Sequence, residues 1–135
     1  MVDTVKSVYN FGGTSTENRR HYLRLLNTSD STGESAVTKL DISAFTLPSG
    51  DAATKINIQE ISWDVQGFEA IKLSWDATTD DDINIMSGQG YEDYRDLGGL
   101  KNSLATGWNG DLLLSTLGTA MSGDTYSVLI HFTID

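Results

Sequence analysis

The sequence predicts a single all-β domain, an antiparallel β-sandwich with a jelly-roll-like arrangement of about eight strands. Short runs of apolar residues alternate with polar ones, which is the spacing of side chains on one face of a strand. Gly, Asp, Ser and Thr separate these runs, as expected at tight turns. The 135 residues suffice for one domain and include no cysteine, so we expect a hydrophobic core rather than disulfides to stabilise it.

Eight segments fit the strand pattern. In order along the chain they are Asp3–Asn10, His21–Thr28, Ala36–Ser43, Thr54–Asp64, Phe68–Asp76, Asp82–Met86, Asp111–Thr116 and Thr125–Ile134. The last segment is the clearest, because five apolar residues alternate strictly from Tyr126 to Ile134. We expect this strand to lie centrally, with Leu129 on its other face meeting a second layer or a partner.

The two central segments carry matching apolar sets. These sets are Ile61, Trp63 and Val65, followed by Ile71, Leu73 and Trp75. A three-residue loop at Val65–Gly67, with Gly67 in the left-handed region, would place both sets on one shared face. The sequence therefore predicts a hairpin in which Ile61 lies opposite Ile71.

Two local irregularities can also be predicted. Ile56 and Ile58 are out of phase with Ile61, which indicates either a β-bulge near Gln59-Glu60 or a strand buried on both faces. The segment Leu97–Leu104 has apolar residues at helical spacing, but it contains two glycines, which disfavour a helix. We expect a loop or a single turn there.

The charge is strongly acidic and unevenly distributed. The formal net charge is −10. Residues 1–24 carry four basic and two acidic side chains, a net of +2, so the rest of the chain carries −12. We therefore divide the chain into residues 1–20, an N-terminal arm or edge strand, and residues 21–135, the sandwich. This charge argues against a nucleic-acid partner, because phosphates would be repelled.

The same reading predicts no membrane partner and no export signal. No stretch approaches the roughly 20 apolar residues of a membrane helix. The first residues show no apolar run behind a basic start, so we expect no signal peptide.

Catalytic patterns are missing from the sequence. The two histidines, His21 and His131, each lie in a predicted strand, and no Gly-x-Ser-x-Gly elbow occurs. Nothing singles out a pair of carboxylates for glycoside hydrolysis. We expect a protein that is not an enzyme and has neither catalytic residues nor a cofactor.

One acidic stretch raises the question of a metal. Nine residues from Asp76 to Asn84 crowd oxygen ligands together, which suits calcium, but they lack the order of an EF-hand loop. We expect a solvated loop and no metal, with calcium at Asp80–Asp82 as the open alternative.

Candidate contacts with another protein come from two regions. If residues 20–25 form a strand, Arg20, Tyr22 and Arg24 share one face. Three aromatic residues lie in predicted loops, where aromatic side chains either fold back on the core or anchor an interface. The candidate interface residues are Arg19, Arg20, Arg24, Tyr91, Tyr94 and Trp108.

Several segments are distinctive in wording and in order. The most extended is Thr28–Ser43. It is followed by turns and strand ends at Ile61–Gly67, Leu73–Ala77, Asp96–Leu100, Gly110–Thr116 and Ser122–Tyr126. Over about residues 22–134, these segments together resemble small proteins encoded by tailed phages, notably marine and cyanobacterial ones.

The resemblance implies a virion structural protein, a capsid decoration or cement protein that brings no catalytic residues. Its partners would be the major capsid protein or other virion proteins, and it would form a homo-oligomer, with a trimer as one arrangement. It would be made in the host bacterial cytoplasm and end in the virion. The alternative is a carbohydrate- or receptor-binding module of a phage tail or fibre, with Tyr91, Tyr94 and Trp108 stacking on sugars.

Overall fold

A computed structural model of the chain describes residues 5–10, 20–47, 49–100 and 106–135, and only the backbone for 5–10 and Arg20. Within these ranges the chain forms nine strands and two short 3₁₀ turns, Ile42–Ala44 and Arg95–Leu97. The strands are β1 (Val5–Asn10), β2 (Arg20–Asp30), β3 (Val37–Leu40), β4 (Ile56–Gln66), β5 (Ala70–Trp75), β6 (Asp81–Met86), β7 (Gln89–Asp93), β8 (Leu112–Leu117) and β9 (Ser122–Ile134).

The strands form two antiparallel sheets that pack on a common core. The five-stranded sheet has the order β1-β2-β9-β4-β7, and the four-stranded sheet has the order β3-β8-β5-β6. The all-β sandwich is therefore confirmed. Strands pair in a nested series, β5 with β6, β4 with β7, β3 with β8 and β2 with β9. This series is compatible with the jelly-roll subtype, which stays a prediction.

The core lies between the inward faces of both sheets. Strand β9 contributes Val128, Ile130 and Phe132, and the opposite sheet contributes residues such as Ile71 and Leu114; all five are fully buried. Burial at this depth follows from the period-two alternation of each strand. Apolar burial of this kind is the main favourable term in folding.

The predicted central position of β9 is confirmed. This strand pairs along its length with β2 on one side and β4 on the other. The bulge predicted in β4 is also found, because the register with β9 shifts between Ile58 and Glu60. The extra residue keeps Ile56, Ile58 and Ile61 all in the core, each fully buried.

The predicted hairpin between β4 and β5 is wrong. Ile61 pairs with Ile130 and Glu92 in one sheet, whereas Ile71 pairs with Thr116 and Met86 in the other. Gly67 does take the left-handed conformation, with φ of 93°, but its turn carries the chain from one sheet to the other. Alternation fixes which face is buried and leaves open which strand is the partner.

Several strand boundaries also differ from expectation, and one strand, β7, was not predicted. Strand β3 ends at Leu40, and the predicted continuation becomes a 3₁₀ turn capped by Asp41, whose carboxylate accepts from the Ser43 amide. Strand β5 begins at Ala70 rather than at Phe68. Strand β7 was predicted to be a loop because glycine disfavours strands. Its Gly90 lies against the indole of Trp63, where a Cβ atom would fall 2.2 Å from the ring.

The other local expectations meet the described residues only in part. Leu97 ends the 3₁₀ turn and Gly98 follows it in the left-handed conformation, while residues 101–105 of the Leu97–Leu104 segment lie outside the described ranges. Strand β1 pairs with β2 at the edge of its sheet.

A buried ion pair ties the two sheets together near the turn after β2. The Lys39 ammonium lies 2.6 Å from Glu34 Oε2, and the two side chains are 3% and 0% exposed. The Tyr126 hydroxyl, which belongs to β9 in the other sheet, donates to the second oxygen of Glu34. A buried carboxylate needs such partners, because charge is poorly solvated in the interior.

We therefore expect Lys39→Met to destabilise the fold by about 3–5 kcal/mol, because it leaves the Glu34 carboxylate buried without its ammonium. Urea unfolding at neutral pH, followed by tryptophan fluorescence, measures this. The double variant Lys39→Met/Glu34→Gln should recover most of the loss, because it removes the buried charge. A double variant whose loss equals the sum of the two single losses would contradict this account.

Candidate functional site: the outer face of the five-stranded sheet

The solvent side of the five-stranded sheet carries an ordered array of polar and aromatic side chains. It lies opposite the core because Leu23 and Leu25, which alternate with its residues along β2, are buried. Strand register sets three rows across β2, β9, β4 and β7. We call these rows the outer face: Tyr22, His131, Glu60 and Asp93; Arg24, Leu129, Ser62 and Tyr91; Leu26, Ser127, Asp64 and Gln89.

A chain of contacts crosses the outer face from β2 to the end of β7. The Tyr22 ring stacks on His131, with centroids 4.6 Å apart and planes 13° from parallel. His131 Nδ1 lies 3.2 Å from Glu60 Oε1, and the Tyr91 hydroxyl donates to the other Glu60 oxygen. Arg95 Nη1 lies 3.4 Å from Glu60. Glu60 is therefore the centre of a network that joins all four strands.

The carboxylates of this network are held in the ionised form. The Arg95 guanidinium donates from Nε and Nη2 to the two oxygens of Asp93, at 2.9 and 2.7 Å. These bonds lower the pKa of Asp93 to about 2. The Tyr91 hydroxyl, and after it the His131 ring, hold the pKa of Glu60 below its ordinary value. The bond to Glu60 in turn raises the pKa of Tyr91.

The outer face offers exposed aromatic surface and a shallow relief. Tyr22 is 42% exposed and Tyr91 is 55% exposed. A depression of about 210 Å³ lies between the second and third rows. It is lined by Arg24, Ser62, Trp63, Asp64, Ser127 and Leu129. Tyr and Arg are enriched among the residues that dominate protein–protein binding energy.

The structure brings two of the predicted interface residues together. Arg24 and Tyr91 lie in one row of the outer face, on strands that are separated by β9 and β4. The backbone of Arg20 pairs with Thr133 one step beyond the Tyr22 row. Arg19 lies outside the described residues.

Tyr94 and Trp108 lie elsewhere and pack on the core. Both are half-buried; the Tyr94 hydroxyl donates to Glu92, and the Trp108 ring meets Trp75 edge-on with centroids 5.9 Å apart. Folding back on the core is one of the two alternatives that the sequence leaves open for aromatic residues in loops.

The network also contains Tyr22, Glu60, His131 and Arg95, which are not among the interface residues proposed from the sequence. Tyr22 was recognisable, because it has the same strand parity as Arg24. Glu60 and His131 are 71 residues apart in sequence, and only the pairing of β4 with β9 brings them into contact. No local pattern carries that information.

The Asp80–Asp82 loop uses its carboxylates within the protein. Asp80 accepts from the Ala77 amide at 3.2 Å. Asp82 accepts from the Ser74 hydroxyl at 3.2 Å and lies 3.4 Å from the Lys72 ammonium. Across the described ranges, no three His, Asp or Glu side chains are placed to hold a metal ion. No helix in the same ranges is long and apolar enough to cross a membrane.

The chain matches no protein-family model, no curated protein and no solved structure.

We expect Arg95→Gln to raise the pKa of Asp93 from about 2 toward the ordinary value of 3.8, because the two charge-assisted bonds are lost. Carbon-detected NMR titration of the carboxyl group measures this. The folded pKa lies below the unfolded one, so these bonds stabilise the fold above pH 3.8 and cease to do so as the pH falls toward 2.

Lys72→Gln is the matched control, because Lys72 pairs with Asp82 on the other sheet. It should leave the titration of Asp93 unchanged. An Asp93 that titrates near 3.8 in the unsubstituted protein would contradict the bidentate contact.

Proposed function

We propose that this protein is a non-enzymatic structural component of a tailed-phage particle, a capsid decoration or cement protein, and that it attaches to its neighbour through the outer face. The observation that carries the proposal is the exposure of Tyr22, Arg24 and Tyr91 on the same face of one sheet. The resemblance of residues 22–134 to tailed-phage proteins supports the class of particle.

The charge of the outer face supports protein contact. With Arg95, its formal charges are Arg24 and Arg95 against Glu60, Asp64 and Asp93, a sum of 2 − 3 = −1 with His neutral. The remaining surface and interior carry the other −9 of the chain. A neighbouring protein therefore meets little electrostatic repulsion on this face, and the network has already neutralised much of its charge.

The shape of the outer face also favours a large partner. Small-molecule sites are concave and enclose roughly 300–1,000 Å³. The depression here encloses about 210 Å³ and opens onto a sheet surface. Such a surface suits contact with the major capsid protein or another virion protein, and the decoration role carries with it a homo-oligomer, such as a trimer, on the particle.

Phage heads that lack this protein provide the test. The purified protein should sediment with them at a fixed stoichiometry, and Tyr22→Ser and Tyr91→Ser should each weaken binding about 5- to 30-fold, as expected for an interface residue that contributes about 1–2 kcal/mol. Met121→Ser is the matched control, because Met121 is 61% exposed and lies outside the outer face. It should bind like the unsubstituted protein.

Two results would overturn the proposal. The first is a protein that does not sediment with heads at any concentration; glycan binding would then favour the tail or fibre module. The second is normal binding by both tyrosine variants, which would remove the outer face as the attachment surface.

A further inference from the structure

A second surface lies at the opposite sheet, where a cleft runs beside an edge strand. The cleft encloses about 520 Å³ between the beginning of β6 and the turn that follows β7. Its two walls are Trp75, Asp81, Asp82 and Ile83 on one side and Leu97, Gly98, Gly99 and Leu100 on the other. This volume falls within the usual range of binding clefts, about 300–1,000 Å³.

Strand β6 is the last strand of the four-stranded sheet. Among the described residues, β5 is the one strand that pairs with it. The outer edge of such a strand presents backbone N–H and C=O groups to any extended segment that approaches. Two large aliphatic side chains stand near this edge, Ile85 at 58% and Leu97 at 77% exposure.

The charge around β6 selects among possible occupants. Residues 76–86 hold four acidic side chains and no basic one, and Lys72 of the neighbouring strand β5 pairs with Asp82, so the sum is 1 − 4 = −3. This edge of the four-stranded sheet is therefore acidic. A second copy that approached with the same region would be repelled, whereas a basic segment would be attracted.

We propose that β6 and the adjoining cleft bind an extended, lysine- or arginine-bearing segment of a partner protein, which adds to the sheet as a fifth strand. Backbone hydrogen bonds to β6 would supply affinity, as in other cases of strand addition. Alternate side chains would enter the cleft toward Leu97 and Leu100, and the basic ones would face the acidic rim around Asp82. This surface shares no residue with the outer face.

A designed peptide tests the proposal on the full chain. The probe is acetyl-Lys-Val-Lys-Val-Lys-Val-Lys-amide, and the control peptide has proline in place of the central valine. Proline lacks the backbone N–H that a ladder of hydrogen bonds between strands requires. We expect the first peptide to shift and protect from exchange the backbone amides of Asp81–Met86, in NMR spectra recorded at low salt. The proline peptide should bind at least about tenfold more weakly, because the ladder is interrupted.

Substitutions in the chain separate the contribution of charge from the contribution of apolar contact. Asp82→Asn should weaken binding and reduce its salt dependence, and Leu97→Ser should weaken binding with the salt dependence retained. Asp64→Asn, on the outer face, is the matched control and should change neither. None of these positions is fully buried, so the variants should fold.

Three results would overturn the proposal. Equal binding of both peptides would show charge attraction without strand addition. Equal binding of a peptide with glutamate in place of lysine would remove the charge selection. A protein that is dimeric by itself, with the amides of β6 already protected, would show that a second copy occupies this edge.

Discussion

The position of β9 is the constraint on which the rest of the structure depends. This strand lies between β2 and β4 from Thr125 to Thr133, and its five inward side chains form the middle of the core. Because apolar residues alternate strictly along β9, the inward-facing residues of each neighbouring strand must stay in register with them. Strand β4 achieves this with one extra residue, at the bulge between Ile58 and Glu60. The bulge shifts the alternation by one position, so that Ile58 before it and Ile61 after it both face the core.

The same constraint builds the outer face. Once Ile130 and Phe132 point inward, His131 must point outward, and its position beside Tyr22 and Glu60 follows from the two registers. The bulge is essential here, because it places Glu60 rather than Gln59 opposite His131. A carboxylate at this point then attracts the hydroxyl of Tyr91 and the guanidinium of Arg95. The network is thus a consequence of core packing on the other side of the sheet.

The sequence predicted the features that depend on the alternation of apolar residues within a strand. It did not predict the features that depend on which strands pair. The sandwich, the central β9 and the bulge all follow from the phase of apolar residues, and all are found. The hairpin between β4 and β5 failed because two apolar strands can face each other across a core as well as lie side by side. Strand β7 escaped notice because Gly90, a weak strand residue, is there to make room for Trp63. The contact of Glu60 with His131 could not be predicted either, because it depends on the pairing of β4 with β9.

The distribution of charge differs between the two surfaces. The outer face has a formal charge of −1, because two arginines lie among three carboxylates, and Glu60 and Asp93 are bound by the network. A folded neighbour therefore meets little repulsion there. Around β6 the charge is instead concentrated, because residues 76–86 hold four acidic side chains, of which Asp82 pairs with Lys72. A surface of the first kind favours extensive packing, whereas the second favours capture of a flexible basic segment. The cleft and the outer face share no residue, so occupation of one leaves the other accessible, and under the two proposals a single domain joins two neighbours.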